Sequence, residues 1–216
     1  MRRALPYLAL CGVALCGSAR AGETPPSCAT YGEELAAMAG ADAALRTRQD
    51  LLAPPEDPVQ GRRAAQLVLI ERSNGARLHA LLAQCGWPLR GVHGVQAGAH
   101  AWQLVQRAAQ DLALQKTAIR HLERAVAAGD VPGRALAKLD DRIAVAEGRP
   151  QRYGTRMRQV DACRWSFYPM DDAAQVAERR ARLGLPTLEE QERMANGMVI
   201  HENCRNREPS PAPFKT

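Results

Sequence analysis

Apolar residues recur every three to four positions along most of this chain, and that period restricts it to packed helices. The pattern is clearest from Ala99 to Leu112, where Ala101, Trp102, Val105, Ala108, Ala109 and Leu112 share one helical face. Ala118, Ile119, Leu122 and Val126 continue it to the "AAGD" stretch. Leu136, Leu139, Ile143 and Ala146 form the next stripe, opened by Asp130 and Pro132 and stopped by Gly148 and Pro150. Large side chains such as Trp87 and Trp102 on these faces read as core.

Start and stop signals divide the rest. Thr30 with Glu33 forms a capping box ahead of Leu35, Met38 and Ala39, and Asp42 and Arg46 stand four apart in the order that favours a helix. "APPEDP" (53–58) breaks the chain. A second helical region covers about 60–84, with an interruption expected at Ser73-Asn74-Gly75, where Ser73 or Asn74 would cap a new helix. The glycine-rich segment 89–98 reads as a loop. Asp171 or Asp172 caps a helix that Gly184-Leu185-Pro186 stops, and Thr187 with Glu190 opens a last one, to about Ile200.

The period changes once. "YGTRMRQV" and "CRWSFY" are rich in aromatic and β-branched residues and flank Asp161-Ala162, so a two-stranded antiparallel hairpin is expected at about 153–168. In the assumed register Arg158 faces Trp165 and Arg156 faces Phe167. The expected fold is therefore mainly α, a single helical domain over 22–203 with one small antiparallel β-hairpin and a Pro-rich tail at 204–216.

The N-terminus predicts export. Arg2 and Arg3 precede an apolar run, Ala4 to Cys16, that is too short to span a bilayer. Ala19-Arg20-Ala21 supplies a cleavage pattern, so residues 1–21 read as a signal peptide and the mature chain is expected to begin at Gly22. A periplasmic or secreted location follows, with no stable membrane anchor after cleavage. About 195 residues remain, enough for one domain with its own core. Cleavage removes Arg2, Arg3 and Arg20 and no acids, so the formal charge of +6 falls to about +3. That mild excess, interspersed with acids in a chain only 4% aromatic, argues against a nucleic-acid partner.

Four cysteines remain beyond the signal: Cys28, Cys85, Cys163 and Cys204. An even number in an exported chain suggests two disulfides, and the expected pairs are Cys28–Cys85 and Cys163–Cys204. No C-x-x-C pair occurs, and His79, His93, His100, His121 and His201 form no H-E-x-x-H pattern, so no metal or other cofactor is expected. The glycines of 91–98 lack the Lys-Ser/Thr ending of a phosphate-binding loop. Ser73, Thr155 and Ser166 lack the context of an activated nucleophile.

The densest polar stretch is "GRPQRYGTRMRQVDACRW" (148–165), just after Asp140-Asp141-Arg142. Adjacent carboxylates point to different faces of a helix, so the Asp140–Asp141 pair does not make an acid–base couple by itself. Asp141 or Arg142 against Gln151 or Tyr153 reads either as a hydrogen-bond network holding the turn or as part of a polar pocket.

The motif order resembles a bacterial family described only as a domain of unknown function. The matching residues are Leu35, Met38, Asp42 and Arg46; Asn74, Arg77, Leu78 and Gly86-Trp87-Pro88; "AWQLVQRAAQD" at 101–111; Asp141-Arg142; "GRPQRYGTR" at 148–156; and "RRARLGLPTL" at 179–188. The chain departs from that pattern at Arg107, Ala109 and Arg156, where the pattern has His, Asp and Gln. The resemblance implies a fold and no activity. It directs attention to Gln106, Arg107, Asp141, Arg142, Gln151, Tyr153, Thr155 and Arg156 as a polar binding pocket. The leading expectation is a non-enzymatic exported domain that binds an exported protein or a small ligand, an inhibitor or immunity-type role included. The rival is a cell-envelope hydrolase using Asp141 with Gln106, Gln151 and Tyr153.

Overall fold

A computed structural model describes residues 28–47, 57–161 and 163–197. The expected signal peptide and tail lie outside these. The described chain is mainly helical with one two-stranded antiparallel hairpin. Helices α1 (Tyr31–Arg46), α2 (Pro58–Cys85), α4 (Ala97–Arg107), α5 (Leu112–Ala127) and α6 (Gly133–Ala146) enclose the core. The short α3 (Arg90–His93) lies in the segment expected to be a loop. Strands β1 (Met157–Asp161) and β2 (Arg164–Phe167) follow, then α7 (Ala173–Arg182) and α8 (Leu188–Gly197). Among the described residues no helix is long and apolar enough to cross a membrane.

The core is built from the stripes that the helical period marks. Leu78, Leu81 and Leu82 of α2, Ala101 and Val105 of α4, and Leu114, Ala118 and Leu122 of α5 are fully buried against Tyr31 and Leu35 of α1. Each such leucine removed from water contributes on the order of 2 kcal/mol. The Cys28–Cys85 disulfide closes the start of α1 onto the end of α2, as expected, with Cα atoms 5.6 Å apart. Beside it, the Tyr31 hydroxyl donates to the Gly86 carbonyl at 3.3 Å. Cys163 is also disulfide-bonded, and the partner expected for it, Cys204, is outside the described residues.

Packing overrides the local signal at three places. Helix α2 runs unbroken through Ser73-Asn74-Gly75. There Asn74 donates from Nδ2 to the Met38 carbonyl of α1 at 3.4 Å. Gly75 lies where an added Cβ would sit 3.6–3.8 Å from Asp111, Ala108 and Leu114, so the triplet is a close-packing station in α2 rather than a cap. The long stripe from 99 to 126 is cut at Ala108–Asp111. Asp111 Oδ1 accepts from the Leu114 N–H at 2.8 Å to start α5, and Gln115 Nε2 donates to the Ala108 and Ala109 carbonyls, both at 3.0 Å. A buried side chain thereby pairs the Ala109 carbonyl and adds a second bond to that of Ala108, which also accepts from the Asp111 N–H. Thr30 makes no side-chain cap, and its carbonyl alone accepts the first helical bond.

The hairpin is shorter than 153–168 and its register is one residue off the expected one. Met157 faces Phe167, Arg158 faces Ser166 and Gln159 faces Trp165, with an irregularity between Gln159 and Asp161. Arg158 therefore finds a different aromatic partner, its guanidinium lying 5.5 Å from the Tyr168 ring centre. Arg156 precedes the strand, and its carbonyl accepts from the Tyr168 N–H at 3.3 Å. The caps of the last two helices form as expected. Asp172 Oδ1 accepts from the Ala174 and Gln175 N–H groups, and Thr187 and Glu190 exchange two bonds as a complete capping box.

Candidate functional site

The helical bundle meets the hairpin at the turn 151–156, and three buried polar side chains fix that junction. Asp141, on the inner face of α6, is wholly inaccessible. Its Oδ1 accepts from the Arg152 and Tyr153 N–H groups at 2.8 and 3.0 Å, and its Oδ2 from the Thr155 N–H at 2.7 Å. Gln151, also wholly buried, imitates a strand neighbour. Its Oε1 accepts from the Arg156 N–H at 2.7 Å, and its Nε2 donates to the Arg156 and Tyr168 carbonyls. Arg180 of α7 closes the far side, donating to the carbonyls of Tyr153, Gly154, Pro186 and Thr187 and to Gln191 Oε1.

Gly154 completes the turn. Its φ of +61° is one that side-chain-bearing residues rarely adopt, and a Cβ there would meet Leu188 Cδ2 at 2.8 Å. With most backbone groups of the turn held in this way, Thr155 and Arg156 are fixed in place.

A cavity of about 230 Å³ lies between α4, α6 and the turn, lined by Trp102, Gln106, Lys138, Leu139, Arg142, Thr155 and Arg156. Trp102 and Gln106 stand one helical turn apart on α4, and Lys138 and Arg142 one turn apart on α6, so each helix offers one face. Arg142 Nη1 ties the helices by donating to the Gln106 carbonyl at 2.9 Å. Burial lowers the Arg142 pKa, and the neighbouring Arg156 guanidinium lowers it further. Two polar atoms buried here have no hydrogen-bond partner: Thr155 Oγ1 and Arg156 Nε. An unpaired buried polar atom costs about 1–3 kcal/mol, so a native structure rarely leaves two side by side.

Of the eight residues expected to make a pocket, Gln106, Arg142, Thr155 and Arg156 line this cavity. Asp141 and Gln151 stand behind it as supports, and Tyr153 is buried with its ring 5.7 Å from the Arg152 guanidinium carbon. Arg107 belongs to a different cluster. Its Nε lies 3.4 Å from Oδ2 of the buried Asp42, which also accepts two bonds from Arg46, and Arg46 in turn reaches Glu71. Sequence reasoning missed Trp102, Lys138 and Leu139 as lining residues. The available signal was spacing: Trp102 stands four residues before Gln106, and Lys138 four before Arg142.

His93 Nδ1 accepts from the Leu89 N–H at 3.0 Å while its ring packs edge-on against Tyr31. Among the described residues no three His, Cys, Asp or Glu side chains group so as to hold a metal ion.

Asp140, beside Asp141 but on the outer side of α6, has an Oδ2 without a hydrogen-bond partner, 3.7 Å from Arg152 Nη1. Burial raises its pKa above the ordinary 3.8, Arg152 pulls it partly back, and Asp141 adds to the rise. The folded state therefore holds this proton more tightly than the unfolded chain. Its contribution to stability falls as pH rises from the ordinary value through the raised one. Asp140→Asn is expected to abolish that fall. Urea unfolding should show the variant gaining on the parent as pH rises above the ordinary 3.8, and an unchanged difference between the two would contradict this assignment.

Fold and cavity together define a small helical domain whose polar cavity sits where a bundle joins a hairpin. The chain belongs to the Family of unknown function (DUF6624), whose model matches residues 30–199. The matched span contains the whole cavity and its supports. No curated protein and no solved structure matches the chain significantly.

Proposed function

We propose that this chain is an exported, non-enzymatic binding domain and that the cavity between α4, α6 and the turn 154–156 takes a small ligand. The carrying observation is the pair of buried, unpartnered groups, Thr155 Oγ1 and Arg156 Nε, in two adjacent residues that line that cavity. The volume sets the scale. A cavity of about 150 Å³ accommodates benzene, so about 230 Å³ suits one ring with a head group. A small ligand accounts for these features better than docking of an exported protein does.

Two further observations favour binding over hydrolysis. The cavity lining contains no carboxylate, imidazole or thiol. Asp141, which accepts from the N–H of the lining residue Thr155, has both carboxylate oxygens engaged by backbone N–H groups. Export is supported by the N-terminal pattern and by the Cys28–Cys85 disulfide, which persists in oxidising compartments.

Gln106→Trp tests the site. Gln106 is exposed at the rim, and its backbone carbonyl, which holds Arg142, survives the substitution. Ligand-observed NMR with a set of ring compounds carrying acidic, amide and neutral substituents should give hits with the parent chain that disappear in this variant, with the fold unchanged. Hits that persist in the variant, or none with the parent, would reject the cavity as the site.

A further inference from the structure

We infer that the ligand of this cavity is an anion whose oxyanion head group sits among Lys138, Arg142, Arg156 and Thr155, with its apolar part against Trp102 and Leu139. The inference rests on the reading of the cavity as a ligand site and adds the chemical class of what it binds.

Three cationic side chains line one small cavity, and no ion pair joins any of them to a carboxylate among the described residues. Most other arginines nearby are differently placed. Arg149 pairs with Glu147, Arg152 with Asp140, Arg179 with Asp171 and Arg182 with Glu178. Arg142 and Arg156 instead line the same cavity, and the Arg156 charge adds to burial in lowering the Arg142 pKa. Like charges brought together under partial burial raise the free energy of the empty site, and a bound anion would offset that cost.

The donors fit an oxyanion. Arg156 Nε has no acceptor, Thr155 Oγ1 has no partner, and Arg142 spends one Nη on the Gln106 carbonyl and keeps the rest of its donor fork. A planar guanidinium recognises carboxylate and phosphate oxygens alike, so the shared chemistry is a multi-oxygen anion. Trp102 and Leu139, which line the same cavity, supply a flat and an aliphatic surface, which suits a ring or short hydrocarbon.

The test uses benzoate, benzamide and inorganic phosphate, titrated calorimetrically at low salt into the chain with its disulfides intact. Benzoate should bind at least tenfold more tightly than benzamide, which keeps the ring and loses the charge. Arg156→Met should weaken benzoate at least tenfold and leave benzamide within about twofold. Phosphate competing with benzoate assigns the head-group position to phosphate chemistry as well; benzoate binding without such competition assigns a carboxylate. Either result supports an anion site.

Equal affinity for benzoate and benzamide, both lost in Gln106→Trp, would overturn the anion while leaving the ligand cavity in place. No binding of benzoate or phosphate would also overturn it, and the neutral compounds of the NMR set then report separately on the cavity. A Thr155→Val chain, which removes the hydroxyl and keeps the shape, guards against misreading a folding defect in Arg156→Met. It should weaken benzoate severalfold with no loss of stability, and unaltered benzoate affinity would contradict the assignment of Thr155.

Discussion

Asp141→Asn is expected to destabilise the protein by about 4 kcal/mol, more than most single substitutions cost. The carboxylate accepts three backbone N–H groups at 2.7–3.0 Å with no exposure to water. An asparagine oxygen can still serve the Arg152 and Tyr153 amides. Its NH₂ group would then face the Thr155 N–H, donor against donor, and the charge that strengthened all three bonds would be gone. The expected readout is a lower urea midpoint together with faster amide exchange at Thr155. Hydrogen exchange at core positions such as Leu122 should follow global stability alone. A fully stable variant would show that Asp141 is not the structural anchor of the turn, and would reopen it as a catalytic group.

Arg180→Met should cost a similar amount, about 4 kcal/mol, because it strands several acceptors at once. Arg180 is 1% exposed and donates to four backbone carbonyls and Gln191 Oε1, and among the described residues no carboxylate pairs with it. Burial lowers its pKa, and Asp141, the first among several acids, opposes that change. Methionine fills much of the same space and satisfies none of these acceptors. Arg180→Lys should recover little. A single ammonium has three donors diverging from one point and cannot reach Pro186 on one side and Tyr153 on the other. Chemical denaturation of both variants tests this: a lysine chain as stable as the parent would mean that charge alone, rather than the guanidinium's shape, holds the junction.

Much of the bundle is legible in the sequence because its signals are local. The capping box at Thr187 and Glu190, the Asp172 cap, the stop at Gly148 and Pro150, and the leucine stripes each depend on residues within a turn or two. What failed depends on partners far along the chain. Ser73-Asn74-Gly75 looks like a break until α1 and the start of α5 pack against it. The 108–111 turn is invisible in an apolar stripe because a glutamine one helix later pairs its carbonyls. In the hairpin, the strands close on the Asp161–Arg164 pair, two residues from the expected register, and the irregularity after Gln159 takes back one of the two; no local signal announces either.

The site was half legible for the same reason. "GRPQRYGTR" stands out through its glycines and hydrogen-bonding side chains, and it supplies both the supports and two of the cavity's walls. Arg180 was hidden in a run of charged residues, Glu178 to Arg182, that reads as a solvated face. Its one clue is that Val176, the apolar residue of α7 that is fully buried, stands four positions earlier on the same face. Lys138 resembles any exposed helix lysine until Arg142 and Arg156 are seen around it.

The proposed binding site is the cavity between α4, α6 and the turn 154–156. The most direct measurement is a two-dimensional amide and guanidinium NMR titration with the tightest-binding compound of the fragment set. Shifts are expected to concentrate on Thr155 and Arg156, the Arg142 and Arg156 guanidinium groups, the Trp102 indole and the 106–107 amides. Shifts centred instead on the Asp42, Arg46 and Arg107 cluster, with the turn 154–156 unmoved, would contradict it.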